Sequence, residues 1–175
     1  MGGPLIAVPV SVLDGWGGCS MSGMVISDGD VTDDYDRACE VGGLAGVIGV
    51  GELGAQGLVL ADEPSMTCYL PEHHAFVRWL GADSEAELIA AAQSVLTDLF
   101  VDWEECGFWE TDGPAVLMDS ASEGAELNVA YPNGGGMPER APVPIPPGRW
   151  AVRAVHASVD EATSVGVVRL LPASA

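Results

Sequence analysis

Short apolar runs, each cut off by glycine, proline or an acid, recur along this 175-residue chain. Leu5–Val10, Ala45–Val50, Gly57–Ala61, Met66–Leu70, Phe76–Leu80, Phe108–Thr111, Ala115–Asp119, Arg149–Ala157 and Val165–Leu171 all have strand-like length and composition. None reaches the length a helix needs to cross a bilayer. Ala45–Val50 and Gly57–Ala61, joined by a Gly-rich turn, predict a hairpin, as do Arg149–Ala157 and Val165–Leu171 across Asp160-Glu161. Pro71-Glu72-His73-His74 and Asp112-Gly113-Pro114 punctuate two further pairs of runs. Leu5–Val10 passes into a loop or helical turn ending near Trp16-Gly17-Gly18, and Val25-Ile26 is the only pairing segment expected in the polar stretch 19–31. Asp33–Cys39 is too polar for a central strand and reads as a capped helical turn or structured loop. Residues 131–148, with a Gly triplet and six prolines, read as a loop or an extended passage outside any sheet.

One segment has a different period. Ser84 and Glu87 form a capping-box pair, with Asp83 just before it. Leu88, Ile89, Ala92, Val95, Leu96, Leu99, Phe100 and Trp103 then recur at helical spacing, which predicts one amphipathic helix over about 84–103 with Gly107 as its stop. So wide an apolar stripe needs a sheet or another helix beneath it. The expected fold is therefore α+β, a mainly antiparallel sheet of short strands packed against one long helix, in a single domain over 1–175.

The opening, Met1-Gly2-Gly3-Pro4, has no basic segment of the kind that begins a secretory leader. Cys19, Cys39, Cys68 and Cys106 are widely spread and form no CxxC, so reduced thiols in a cytoplasmic protein are expected. His73 and His74 are adjacent and His156 stands alone, which does not suit zinc. Asp28-Gly29-Asp30 is similar to a calcium loop, but the position that needs glutamate is Cys39. No metal or cofactor is expected.

Twenty-six acids face six bases, all of them arginine, for a formal net charge of −20. Such a balance disfavours direct contact with nucleic acid or an anionic membrane, both of which need a basic patch. Host composition and steering of a basic partner both explain it. Asp98, Asp102, Glu104 and Glu105 sit in or just past the last turns of the predicted helix, where the dipole disfavours acids by about 0.3–1 kcal/mol each. No base lies three or four positions away to relieve them. A second cluster holds Asp28, Asp30, Asp33, Asp34, Asp36 and Glu40, with Tyr35 as an aromatic anchor and Arg37 as its only base. Asp62 and Glu63 follow Leu58-Val59-Leu60 and precede Pro64; they read as a terminated strand, a general base or a partner contact. A small hydrolase would use Asp62, Glu63 and the His73-His74 pair with Cys68, yet no nucleophile elbow or phosphate loop accompanies them.

Gly2-Gly3-Pro4-Leu5-Ile6, Trp16-Gly17, Asp34-Tyr35-Asp36-Arg37-Ala38-Cys39, Leu58-Val59-Leu60 with Asp62-Glu63-Pro64, Phe76-Val77-Arg78-Trp79 and Pro146-Pro147-Gly148-Arg149-Trp150 follow in that order. The ordered set resembles the immunity protein 21 family of bacterial polymorphic toxin systems. The resemblance implies a cytoplasmic, non-enzymatic protein that binds and blocks a toxin encoded beside it, many such toxins being nucleases with basic surfaces. On that reading the toxin-binding residues are Asp28, Asp30, Asp33, Asp34, Tyr35, Asp36, Asp62, Glu63, Asp98, Asp102, Glu104 and Glu105. Residues 131–142 are longer than the family pattern requires, and the opening on Gly-Gly-Pro leads to the expectation that a short leading strand is missing. A generic acidic protein with an unrelated binding function remains the bland alternative.

Overall fold

The computed structural model describes residues 3–19, 32–51, 54–61 and 64–173. Ten strands among them form two five-stranded antiparallel sheets. The first sheet runs β2 (Gly46–Val50), β3 (Ala55–Leu60), β1 (Leu5–Pro9), β7 (Ala115–Asp119) and β8 (Arg140–Val143). The second runs β4 (Thr67–Leu70), β5 (Ala75–Gly81), β10 (Ser164–Pro172), β9 (Gly148–Ser158) and β6 (Glu104–Thr111). The expected single sheet against one long helix is thus overturned: the protein is mostly β, with two sheets and short helices.

Strand periodicity builds this arrangement directly. In β1, Ala7 points between the sheets while Ile6 and Val8 point outward, and in β3 Leu58 and Leu60 point inward while Val59 points outward. Phe76, Trp109, Leu117, Trp150, Val152 and Leu170 fill the layer between the sheets. The outer faces are covered as well. Trp16, Ala38 and Leu127 cover the first sheet, and α2 (Glu85–Thr97) covers the second. Strands buried on both faces read as continuous apolar runs, which conceals how they divide between sheets.

Both predicted hairpins form, β2 with β3 and β9 with β10. The Asp112-Gly113-Pro114 turn does something different: β6 and β7 do not pair, and the chain crosses there from the second sheet to the first. Residues 131–148 also depart from expectation. Arg140–Val143 forms β8, which pairs with β7, and Pro142 is tolerated because β8 lies on the sheet edge.

The helix departs most. It ends at Thr97, six residues short of the predicted end. Thr97 Oγ1 donates to the carbonyls of Gln93 (2.9 Å) and Ser94 (3.1 Å), and Asp98 turns extended while accepting the Phe100 N–H at 2.9 Å. Short polar side chains that compete for backbone groups stop the helix without any glycine. Gly107, the expected stop, instead lies at φ 90° in β6, where the pairing with β9 shifts register. Leu88, Ala91, Ala92, Val95 and Leu96 still form the buried face, on Ala75, Val77, Val165 and Val167. Leu99 and Phe100 are 93% and 94% exposed. Trp103, outside the helix, still packs half-buried against the α2 cluster.

Replacing Trp109, fully buried and bonded through Nε1 to the Gln56 carbonyl at 3.1 Å, by alanine is expected to cost about 3–5 kcal/mol in urea unfolding. Leu99→Ala and Phe100→Ala should each change stability by no more than about 0.5 kcal/mol. Losses of core size at Leu99 and Phe100 would restore the longer helix.

Candidate functional site

The acids of the 33–36 segment are placed by α1 (Asp34–Cys39). Asp33 caps it, accepting the Asp36 N–H at 2.8 Å, and the Asp36 carboxylate reaches back to the Asp33 N–H at 3.4 Å. Asp34 accepts the Gly17 N–H at 2.8 Å and ion-pairs with Arg37, which also donates to the Gly49 carbonyl at 3.1 Å. This one-turn helix is therefore tied to both the 16–18 segment and β2. Trp16 anchors the same corner, with its indole N–H on the Ser120 carbonyl at 2.9 Å. Tyr35 is half-buried over Gly3, where a Cβ would overlap its ring. A hydrogen bond with Cys39, followed by partial burial, raises the Tyr35 phenol above its ordinary pKa. No disulfide joins any of the four cysteines.

Segments far apart in sequence meet beside α1. A cleft of about 530 Å³ is lined by Pro4, Ala38, Cys39, Val41, Gly43, Leu44 and Ala61. Its walls thus come from the Gly-Gly-Pro opening, the Asp-Tyr-Asp-Arg-Ala-Cys helix and the residue that precedes Asp62. Arg78, from the Phe-Val-Arg-Trp strand, is 1% exposed and donates to the Ala61 carbonyl. Sequence reasoning assigned Arg78 no role; a charged residue inside an apolar strand pattern was the signal for it.

Beside the cleft, Glu104 accepts the Leu44 N–H at 3.0 Å, and its carboxylate lies where a Cβ on Gly43, at φ 78°, would stand. Cys106 next to it is pushed up to about 11 by burial, then by the Glu104 charge. Glu105 pairs with Arg153 on β9 at 2.8 Å. Further along β6, Glu110 pairs with Arg149 at 3.5 Å, whose guanidinium lies 4.1 Å from the centre of the half-exposed Phe108 ring. Glu110 and Phe108 were not anticipated. Their signal, alternation along an edge strand, begins four residues earlier than the predicted strand.

The electrostatic puzzle at the helix end is resolved by tertiary structure. Asp102, Glu104 and Glu105 are not on the helix at all, and only Asp98 stands at its C-cap. Arg169 from β10 donates to the Leu96 carbonyl at 3.3 Å, supplying the base that local sequence lacked. Of the twelve residues proposed as contacts, Asp33, Asp34, Tyr35 and Asp36 stand at the start of α1, whose Ala38 and Cys39 line the cleft, and Glu104 bonds the lining residue Leu44. Glu105 follows on β6, and Asp98 and Asp102 lie on the connector leading to it. Asp28, Asp30, Asp62 and Glu63 lie outside the described residues.

Among the described residues of the catalytic alternative, His74 and Cys68 face different ways. His74 stands at φ 47° with its carbonyl accepting the Leu170 N–H at 2.9 Å. Its ring lies 3.3 Å from the Tyr69 hydroxyl and edge-on to Trp150 at 4.9 Å, on the face between the sheets. Cys68 packs on the opposite, α2-covered face, and burial raises its thiol pKa, so the two do not form a nucleophile and base pair. Among the described residues no helix is long and apolar enough to cross a membrane.

These features describe a two-sheet β protein whose acidic groups gather on strand edges, connectors and a small docked helix. Residues 1–163 match the family described as immunity protein 21, and the chain belongs to that family. No curated protein and no solved structure matches it significantly.

Gly3→Ala should destabilise the protein by about 1–3 kcal/mol, because the new methyl overlaps Tyr35. In a Tyr35→Ala background most of that loss should vanish. Thermodynamic cycles from denaturant unfolding test it, and additive losses would show that the two do not pack as described.

Proposed function

We propose that this protein neutralises a cognate toxin domain by binding it through its acidic surface, without chemistry of its own. Membership of an immunity protein family supports the class of partner. The arginines support the electrostatics. Each of the six is engaged with groups of its own chain: Arg37 with Asp34, Arg78 with Ala61, Arg140 with Asn128, Arg149 with Glu110, Arg153 with Glu105 and Arg169 with Leu96. The bases are spent on internal fastening, while most of the twenty-six acids have no base to meet. That imbalance is the observation that carries the reading, because a field of one sign speeds the approach of a partner of the other.

The contact surface we assign runs from Asp33, Asp34, Tyr35 and Asp36 across the cleft to Glu104 and Glu105, and on to Asp98 and Asp102, with Asp28, Asp30, Asp62 and Glu63 as further acidic contacts. A nuclease toxin suits it, since a surface that grips phosphates must be basic and is blocked by an acidic cover. The cytoplasm, where such a toxin meets its nucleic acid, is the compartment this reading requires.

Stopped-flow association with the toxin domain encoded beside this protein tests the mechanism. The association rate should fall by about tenfold or more between 0.02 and 0.5 M salt, with the dissociation rate much less affected. An association rate indifferent to salt rejects acidic steering, and absence of binding rejects the function.

A further inference from the structure

Two large apolar side chains stand in water at the end of α2. Leu99 and Phe100 are 93% and 94% exposed, and they are adjacent. They are also held there. Thr97 is tied back to the helix, the Asp98 N–H donates to the Ser94 carbonyl at 3.1 Å, and the Asp98 carboxylate accepts the Phe100 N–H at 2.9 Å. On the other side Val101 and Trp103 root the connector in the apolar cluster beneath α2. The result is a projection fixed at both ends and apolar at its tip, which loses little freedom when a partner covers it.

Its surroundings specify the partner's chemistry. Asp98 and Asp102 flank the pair in sequence, and the chain then enters Glu104 and Glu105; the two bases at this end are already engaged, Arg169 on the Leu96 carbonyl at 3.3 Å and Arg153 on Glu105 at 2.8 Å. A pocket that accepts this tip must be apolar at its base and basic at its rim. A second copy of this acidic chain has the wrong charge.

We propose that Leu99 and Phe100 are the apolar anchor of the toxin interface, seated in such a pocket and flanked by Asp98 and Asp102, which steer the approach. This deepens the function proposed above and rests on it. Anchors of this kind dominate binding energy while the charged rim sets the encounter rate.

The test compares wild type with Leu99→Ala/Phe100→Ala, Phe100→Arg and Asp98→Asn/Asp102→Asn for toxin affinity by calorimetry and for kinetics by stopped flow. The double alanine variant should bind at least about 30-fold more weakly while its urea midpoint stays unchanged. Phe100→Arg, which sets like charge against the basic rim of that pocket, should lose at least as much as the double alanine variant. The asparagine pair, which keeps the turn's acceptor oxygen, should slow association and flatten its salt dependence. Wild type that fails to bind the toxin rejects the function itself. Wild type that binds, with the double alanine variant within about threefold of it, rejects the anchor alone. Sedimentation showing that wild type self-associates through this tip, and the double alanine variant does not, assigns it to a second copy and overturns the proposal.

Discussion

The packing of the two sheets on each other sets the terms for the rest of this structure. Phe76, Trp109 and Trp150 lie between them, and both outer faces are covered in turn, by α2 on one side and by Trp16, α1 and Leu127 on the other. With so many strand faces buried, charge is excluded from most strand positions. It must collect on edges, connectors and small docked elements. That is why the acids sit on β6, on the connector after α2 and on α1, and why the arginines serve as links between elements. Arg78 shows the exclusion at its limit: a guanidinium inside the protein, gripping the Ala61 carbonyl where the chain leaves the first sheet.

A second dependence follows from the first. The face of the first sheet that does not meet the second sheet is closed by segments with little regular structure of their own. They hold through specific bonds: Trp16 to Ser120, Asp34 to Gly17, Arg37 to Gly49, Gly124 N–H to the Trp16 carbonyl at 2.9 Å. Gly124 is obligatory there, since any side chain would collide with the Leu13 carbonyl. Of the motif residues that suggested the family, Trp16, Gly17, Asp34 and Arg37 belong to this fastening, while Leu58, Leu60, Phe76 and Trp150 fill the layer between the sheets. The cleft beside Cys39 is where the Gly-Gly-Pro opening, α1 and the end of β3 meet.

How much of this was legible in the sequence follows from the range of the forces involved. Most strand positions, the two hairpins and the Asp33 and Ser84 caps are local, set by side-chain period and turn chemistry, and they were readable, whereas β8, inside a segment expected to lie outside any sheet, was not. The division into two sheets was not, because β1 and β3 are apolar on both faces and nothing local says which strands share a sheet. The helix end was misread for a related reason. The apolar spacing continues through Leu99 and Phe100, and only Thr97-Asp98, two side chains able to capture backbone groups, marks the stop. The apparent electrostatic penalty at that end dissolved because its relief came from Arg169 and Arg153, which are distant in sequence. The family was legible from motifs, whereas the acids named as contacts could be read one by one but not where the fold would place them relative to one another.

The central claim is that the protein works by presenting an acidic surface built on α1, β6 and the connector after α2. Hydrogen–deuterium exchange of the free protein and of its complex with the toxin domain measures this directly. The account predicts slowed exchange on binding over residues 98–110 and around α1, with the buried strands of the second sheet unchanged. Slowing confined to the opposite edge, along β8 and the 131–139 segment, would contradict it.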